Sequence, residues 1–168
     1  MTLQFEISRR LSREHQDVIA LLSRLEGFLR SHPGDLQPDW QGGTARRLMT
    51  ELKGALAGEI PNHFAIEELE LFPLYLEEGG EEMVEMLLAD HRLILELLRE
   101  ILPLVAKTLS TPGPLEPQEW ETLRTQGNVF VTELCAHADK EEFGFVPAVD
   151  EFLDPATAAR ILNRFQAL

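Results

Sequence analysis

Residues 11–29, LSREHQDVIALLSRLEGFL, decide the fold. Leu11, His15, Val18, Leu22, Leu25 and Leu29 recur at alternating steps of four and three, the spacing that lines up side chains on one face of an α-helix. Leu87, His91, Ile94, Leu98, Ile101 and Val105 repeat the same steps. In both rows a histidine holds the second place of an otherwise apolar stripe. Each row is the core stripe of a helix in a bundle.

Outward from these rows, three stretches rich in Gly or Pro punctuate the chain: SHPGDLQPDWQGG at 31–43, EEGG at 77–80 and STPGPLEP at 110–117. The segments between them, 3–30, 44–76, 81–109 and 118–153, are rich in Leu, Glu, Arg and Ala, all good helix formers. Asp154-Pro155 then reads as an N-cap followed by Pro at the first helical position, opening a short helix over 155–166. The predicted fold is all-α: an up-down-up-down four-helix bundle over residues 3–153 with a short fifth helix, in one domain spanning 1–168. Pro61, Pro73, Pro103 and Pro147 fall inside predicted helices and predict bends there.

Composition bounds the function. The chain carries 29 Asp+Glu against 15 Lys+Arg, a net charge of −14 that repels phosphate backbones and argues against nucleic acid as a partner. No apolar run approaches the ~20 residues of a membrane span, and the opening MTLQFEISRR lacks a secretory apolar core, so a soluble cytoplasmic protein is expected. Cys135, the single cysteine, excludes an internal disulfide.

An internal repeat carries four of the five histidines. Glu14-His15-Gln16-Asp17-Val18 parallels Asp90-His91-Arg92-Leu93-Ile94, and Asn62-His63-Phe64-Ala65-Ile66-Glu67-Glu68 parallels Ala136-His137-Ala138-Asp139-Lys140-Glu141-Glu142. His15 and His91 are 76 residues apart and His63 and His137 are 74 apart, so a loop absorbs the difference and the halves should be related by a pseudo-twofold axis. Counted from loops 31–43 and 111–116, the four histidines reach depths that agree within about two turns, so one layer can hold them all. His32 lies in a turn beside Pro33 and is read as a solvated residue.

His63 and Glu67, like His137 and Glu141, stand four residues apart and share a helix face. The layer then contains four imidazoles and two carboxylates, a donor set suited to iron, manganese or zinc rather than calcium or magnesium. Six ligands are many for one ion and suit two, each with two histidines, joined by two carboxylates. Glu59 and Glu133, four residues before His63 and His137, read equally well as extra ligands, as acceptors for an imidazole N–H, or as helix-edge acids. Glu68 and Glu142 read as solvated, Tyr75 as packing, and Cys135 as without a role.

The order H…HxxxE…H…HxxxE on a duplicated helix pair resembles the hemerythrin-like, or HHE cation-binding, family, and His63-Phe64-Ala65-Ile66-Glu67-Glu68 is similar to its HFxxEE signature. The resemblance implies a non-haem di-iron centre with His15, His63, His91 and His137 as terminal ligands, Glu67 and Glu141 as bridging carboxylates, and an oxo or hydroxo bridge. Iron is favoured over zinc or manganese. Two departures matter. Oxygen-carrying hemerythrins have a fifth histidine four residues after the third, where this chain has Leu95. Their second carboxylate lies five residues after its histidine, the place of Glu142 here; Glu141 is preferred because it mirrors Glu67. The segment 137–142 is closer to the HHE branch that includes an iron-sensing domain of an animal F-box protein. Loss of the fifth histidine points away from reversible oxygen carriage. The expectation is a protein that binds or senses oxygen, NO, peroxide or iron, leaning away from catalysis. A di-iron redox enzyme, peroxidase-like or NO-reducing, and a structural or storage bundle are the alternatives. The protein partner is left open.

Overall fold

Each periodic segment forms a helical rod in a computed structural model that describes residues 3–165. The first rod is α1 (Glu6–Arg30) and the third is α5 (Glu81–Ser110). The second rod, residues 43–77, is α2 (Gly43–Gly54), a π-helical turn π1 (Ala55–Glu59), α3 (Ile60–Ile66), a second such turn π2 (Glu67–Leu71) and α4 (Phe72–Glu77). The fourth, residues 117–152, is α6 (Pro117–Lys140), π3 (Glu141–Phe145) and α7 (Val146–Phe152). A short α8 (Pro155–Phe165) follows, its start capped by Asp154, which accepts from Ala156 N at 2.8 Å and Thr157 N at 3.1 Å. The expected last residue of this helix, 166, lies outside the described residues. Among the described residues there is no β-strand.

At three of the prolines where bends are expected, the helix widens into a π-turn. Pro61, Pro73 and Pro147 each stand two residues beyond the end of a π-turn. Proline has no N–H to donate and its ring crowds the preceding turn. Widening that turn to i→i+5 bonding relieves the crowding and keeps the rod continuous. Residue 135, the counterpart of Pro61 in the second half, is a cysteine with an N–H, and α6 runs through without a π-turn. Pro103 sits inside an unbroken α5.

Neighbouring rods contact in the cyclic order α1, second rod, α5, fourth rod, with α8 laid against α1. Two loops close one end: Gln37 Nε2 donates to Leu115 O and Leu115 N donates to Gln37 Oε1, both at 2.8 Å, and Trp120 Nε1 donates to Gly34 O at 2.8 Å. Gly34 turns the first loop with φ of +58°, a left-handed conformation that glycine adopts without steric cost. Beneath these loops lies one apolar cluster, from Leu29, Trp40 and Trp120 down to Phe64, Ile94 and Leu134. A second cluster at the other end includes Ile7, Leu11, Phe72, Leu87, Phe145 and Ile161. The buried histidines and glutamates form a polar layer with chain stretches of both clusters on either side of it in sequence.

α1 lacks a side-chain cap of its own. Asp150 on α7 supplies one, accepting from Gln4 N at 2.7 Å and Phe5 N at 2.9 Å. Burial raises the Asp150 carboxyl, but these backbone N–H groups outweigh burial and hold it below the ordinary carboxylate range. Asp150→Ala should therefore cost about 1–2 kcal/mol at neutral pH. Because the folded pKa is depressed, this contribution is present above the unfolded carboxylate value and is lost as pH falls through the folded one. Thermal melts of both proteins should differ at pH 7 and converge in acid; equal melting temperatures at pH 7 would show that the cap carries no stability.

Candidate metal centre

The histidine rows deliver His15 from α1 and His91 from α5, while His63 on α3 and His137 near the end of α6 stand one helical turn before Glu67 and Glu141. All six side chains are buried; Glu67 and Glu141 are both 0% exposed. They separate into two overlapping groups, His15–His63–Glu67–Glu141 and His91–His137–Glu67–Glu141, each with donor atoms within 4.8 Å of one another.

The two carboxylates belong to both groups because each points one oxygen at each. Glu67 places Oε1 3.1 Å from His63 Nε2 and Oε2 3.4 Å from His91 Nε2. Glu141 places Oε2 3.0 Å from His15 Nε2 and Oε1 3.2 Å from His137 Nε2. Two donors about 2.1 Å from one ion and at right angles to each other stand about 3.0 Å apart, so these separations suit shared coordination.

The fit to cations is also visible in what the atoms fail to do. Both oxygens of Glu67, both oxygens of Glu141, and Nε2 of His91 and His137 are buried without an aligned hydrogen-bond partner. The N···O pairs above are close, but they converge as donors around a common point and do not satisfy one another by hydrogen bonding. His15 Nε2 and His63 Nε2 face each other at 3.1 Å. In neutral rings whose Nδ1–H groups are donated outward, this sets two lone pairs against each other, an arrangement that a cation between them relieves.

Every imidazole has a carboxylate behind it. His63 Nδ1 donates to Glu14 at 2.8 Å and His91 Nδ1 to Glu68 at 2.8 Å. His15 Nδ1 faces Glu142 at 3.3 Å and His137 Nδ1 faces Asp90 at 3.4 Å. The pattern follows the repeat: the acid before the first histidine of each half serves the second histidine, and the acid after each central glutamate serves the first histidine of the other half. Such partners fix the tautomer with Nε2 free to ligate. Arg10 Nε in turn holds Glu14 at 2.9 Å and Lys140 Nζ holds Asp90 at 2.7 Å.

Glu68 and Glu142 keep solvent exposure, in line with their reading as solvated, and each also faces an imidazole, which that reading did not include. Glu14 and Asp90 were not singled out by sequence, although their place beside a histidine in both halves was a usable signal. Glu59 is exposed and Glu133 half-buried, and neither meets an imidazole among the described residues. His32 bonds through Nδ1 to Phe28 O at 2.8 Å, as suits a turn residue. Tyr75 stacks on Phe152 with centroids 5.7 Å apart. Leu95, one turn beyond His91, offers no donor and packs against the loop-end cluster.

The electrostatics are those of a crowded anionic layer. Burial works to lower the His63 and His91 pKa values, but the glutamates overcome it: His63 is raised well above the ordinary value, with Glu67, Glu14 and Glu141 facing it, and His91 is raised to about 9 by Glu141, Glu67 and Glu68. Burial and the neighbouring Glu141 charge push Glu67 upward, yet His63 and His91 hold it below the ordinary range. Burial likewise raises Glu141, and the surrounding imidazoles, His137 first, hold it well below. Replacing Glu68 with Gln keeps the shape but removes the charge behind His91. It should weaken metal affinity about 10–100-fold without changing the number of ions bound at saturation. Titration with a competing chelator measures this, and equal affinity would deny Glu68 a role.

A family model described as Hemerythrin HHE cation binding domain matches residues 6–149. No curated protein matches the chain.

Proposed function

The chain belongs to the hemerythrin HHE cation-binding family, and we propose that its buried histidine and glutamate layer takes two iron ions and uses them to bind or sense a small ligand: oxygen, NO, peroxide or iron itself. The observation that carries the two-ion reading is the split of each carboxylate, Glu67 and Glu141, with one oxygen toward each histidine pair. The mixed imidazole and carboxylate donor set supports iron over the harder calcium and magnesium. A pair of iron ions held there would supply coordination of a small ligand and one-electron redox chemistry.

The protein's own part is to hold and to exclude. Glu14, Glu68, Asp90 and Glu142 orient the four rings. Each histidine pair with the two glutamates provides four protein donors per ion, which leaves room for an external ligand in a six-coordinate site. Leu95 adds no further donor. The Phe64 ring lies flat over His91 and keeps that side dry. No described helix is long and apolar enough to cross a membrane.

Protein produced with iron supplied should contain about two irons per chain. Its oxidised form should show near-ultraviolet charge-transfer bands that change on addition of NO or peroxide without sustained turnover. One zinc and no iron under those conditions would overturn the di-iron reading. Rapid turnover of peroxide or NO would overturn the sensing role in favour of an enzyme.

A further inference from the structure

The pseudo-twofold halves differ at the residue that follows the second histidine of each: Phe64 in one, Ala138 in the other. Phe64 stacks on His91 with centroids 3.7 Å apart and planes 8° from parallel, and Phe72 lies near-parallel to the same ring at 5.5 Å. His15 has no such cover. Among the described residues the one ring against it is that of His63, tilted at 58°, and no Phe, Tyr or Trp ring stacks on it.

His15 and Ala138 instead border a cavity of about 300 Å³. His15, His63, His137 and Glu141 border it on the inside, and Val18, Ile60, Leu134 and Ala138 contribute apolar wall. Of the second histidine pair only His137 reaches it; His91 and Glu67 do not border it. The volume is several times the ~30 Å³ that one water occupies in the liquid, so a hydrated ion has room to enter. Asp17 and Glu59 also border the cavity; both are exposed, and neither makes an ion pair among the described residues. The inner wall points to a cation independently of these two acids, because Glu141 is fully buried with both oxygens unpartnered.

We propose that this cavity is the route by which a hydrated divalent cation reaches the centre, that Asp17 and Glu59 steer it, and that the Ala138/Phe64 difference makes the His15–His63 position exchangeable and the His91–His137 position trapped. The proposal rests on the cation-binding reading of the layer. Carboxylates at the mouth of an apolar-walled cleft raise the local cation concentration and the association rate, an effect that salt screens. Beyond the mouth the lining is Val18, Ile60, Leu134 and Ala138 with Glu14, whose carboxylate is already held by His63 and Arg10, so the ion passes to His15, His63 and Glu141. An ion between His91 and His137 meets the cavity at His137 and Glu141 alone, with Phe64 covering His91, so it leaves more slowly than the ion between His15 and His63.

Cobalt(II) tests this without oxidation chemistry. Metal-free protein mixed with cobalt(II) should fill to two ions per chain, and excess chelator should then remove them in two phases of one ion each. The Asp17→Asn/Glu59→Gln double variant should still bind two ions but take them up about tenfold more slowly at ~10 mM salt, and at the wild-type rate at ~0.5 M. Ala138→Phe should slow the fast release phase about tenfold and leave the slow phase unchanged; Ala138→Leu serves the same purpose if the larger ring prevents folding. Single-phase release, salt-independent uptake in the wild type, a double variant as fast as wild type at low salt, or an unchanged fast phase in the Ala138 variant that folds would each overturn the proposal. A wild-type protein that binds neither cobalt nor iron would instead overturn the cation-binding reading itself, before any rate is compared.

Discussion

Glu67→Ala should abolish binding at both positions, lowering metal content from about two ions per chain to well below one. Glu67 contributes Oε1 beside His63 and Oε2 beside His91, so one substitution removes a donor from each set. It also removes half of the negative charge that the two buried glutamates offer the cations. His63→Ala should behave differently: it strips only the His15–His63 set, and the variant should retain the ion between His91 and His137. A structural role for Glu67 is separated from a ligand role by melting each protein with and without metal. Wild type should gain stability on loading, whereas Glu67→Ala should melt at one temperature under both conditions. Full metal content in Glu67→Ala would refute the bridging role.

Removing metal from the wild type should produce the second large effect. Six buried donor atoms then lack partners, and the two glutamates face each other across the layer. Ligand-linked stabilisation reaches about 4 kcal/mol at a thousandfold excess over the dissociation constant. For a chain of this size that corresponds to a loss of about 8–16 °C in melting temperature on chelation.

The size of the loss should depend on pH. In the metal-free protein the His63 and His91 pKa values are raised, His91 to about 9. Their stabilising contribution is complete below the unfolded histidine value of about 6.5 and is lost as pH rises through the folded value. The gap between loaded and metal-free melting temperatures should therefore widen from pH 6.5 to 9. Ligation requires neutral imidazoles, so loading at pH 7.5 should release protons, measurable by calorimetry in buffers of different ionisation enthalpy. A constant gap together with no proton release would show that these rings are already neutral before metal arrives.

Much of the site was legible because helical spacing is rigid. A histidine in the second place of two heptad-like stripes, and HxxxE on the two intervening segments, fix which side chains face inward and at what depth. The acids that orient the rings were harder to see. Glu14 and Asp90 sit next to histidines in sequence, yet their targets, His63 and His137, are on another rod. Glu68 and Glu142 directly follow the central glutamates, and on a regular α-helix they would point about 100° away. They lie in π2 and π3, where the wider turn changes the register, and both face an imidazole. Proline spacing marked where the backbone would depart from regularity, but not that the departure would be a π-turn.

The amino-acid sequence by itself determined the four rods, the inward faces and the one layer of four histidines and two glutamates, because these follow from periodicity and from the distance between repeats. Only the tertiary structure decided how each carboxylate divides its oxygens, which acid serves which ring, and why two halves so alike in pattern differ in access. Those outcomes depend on side chains meeting across rods, where one ring more at Phe64 and one fewer at Ala138 separate a covered histidine from an open cavity.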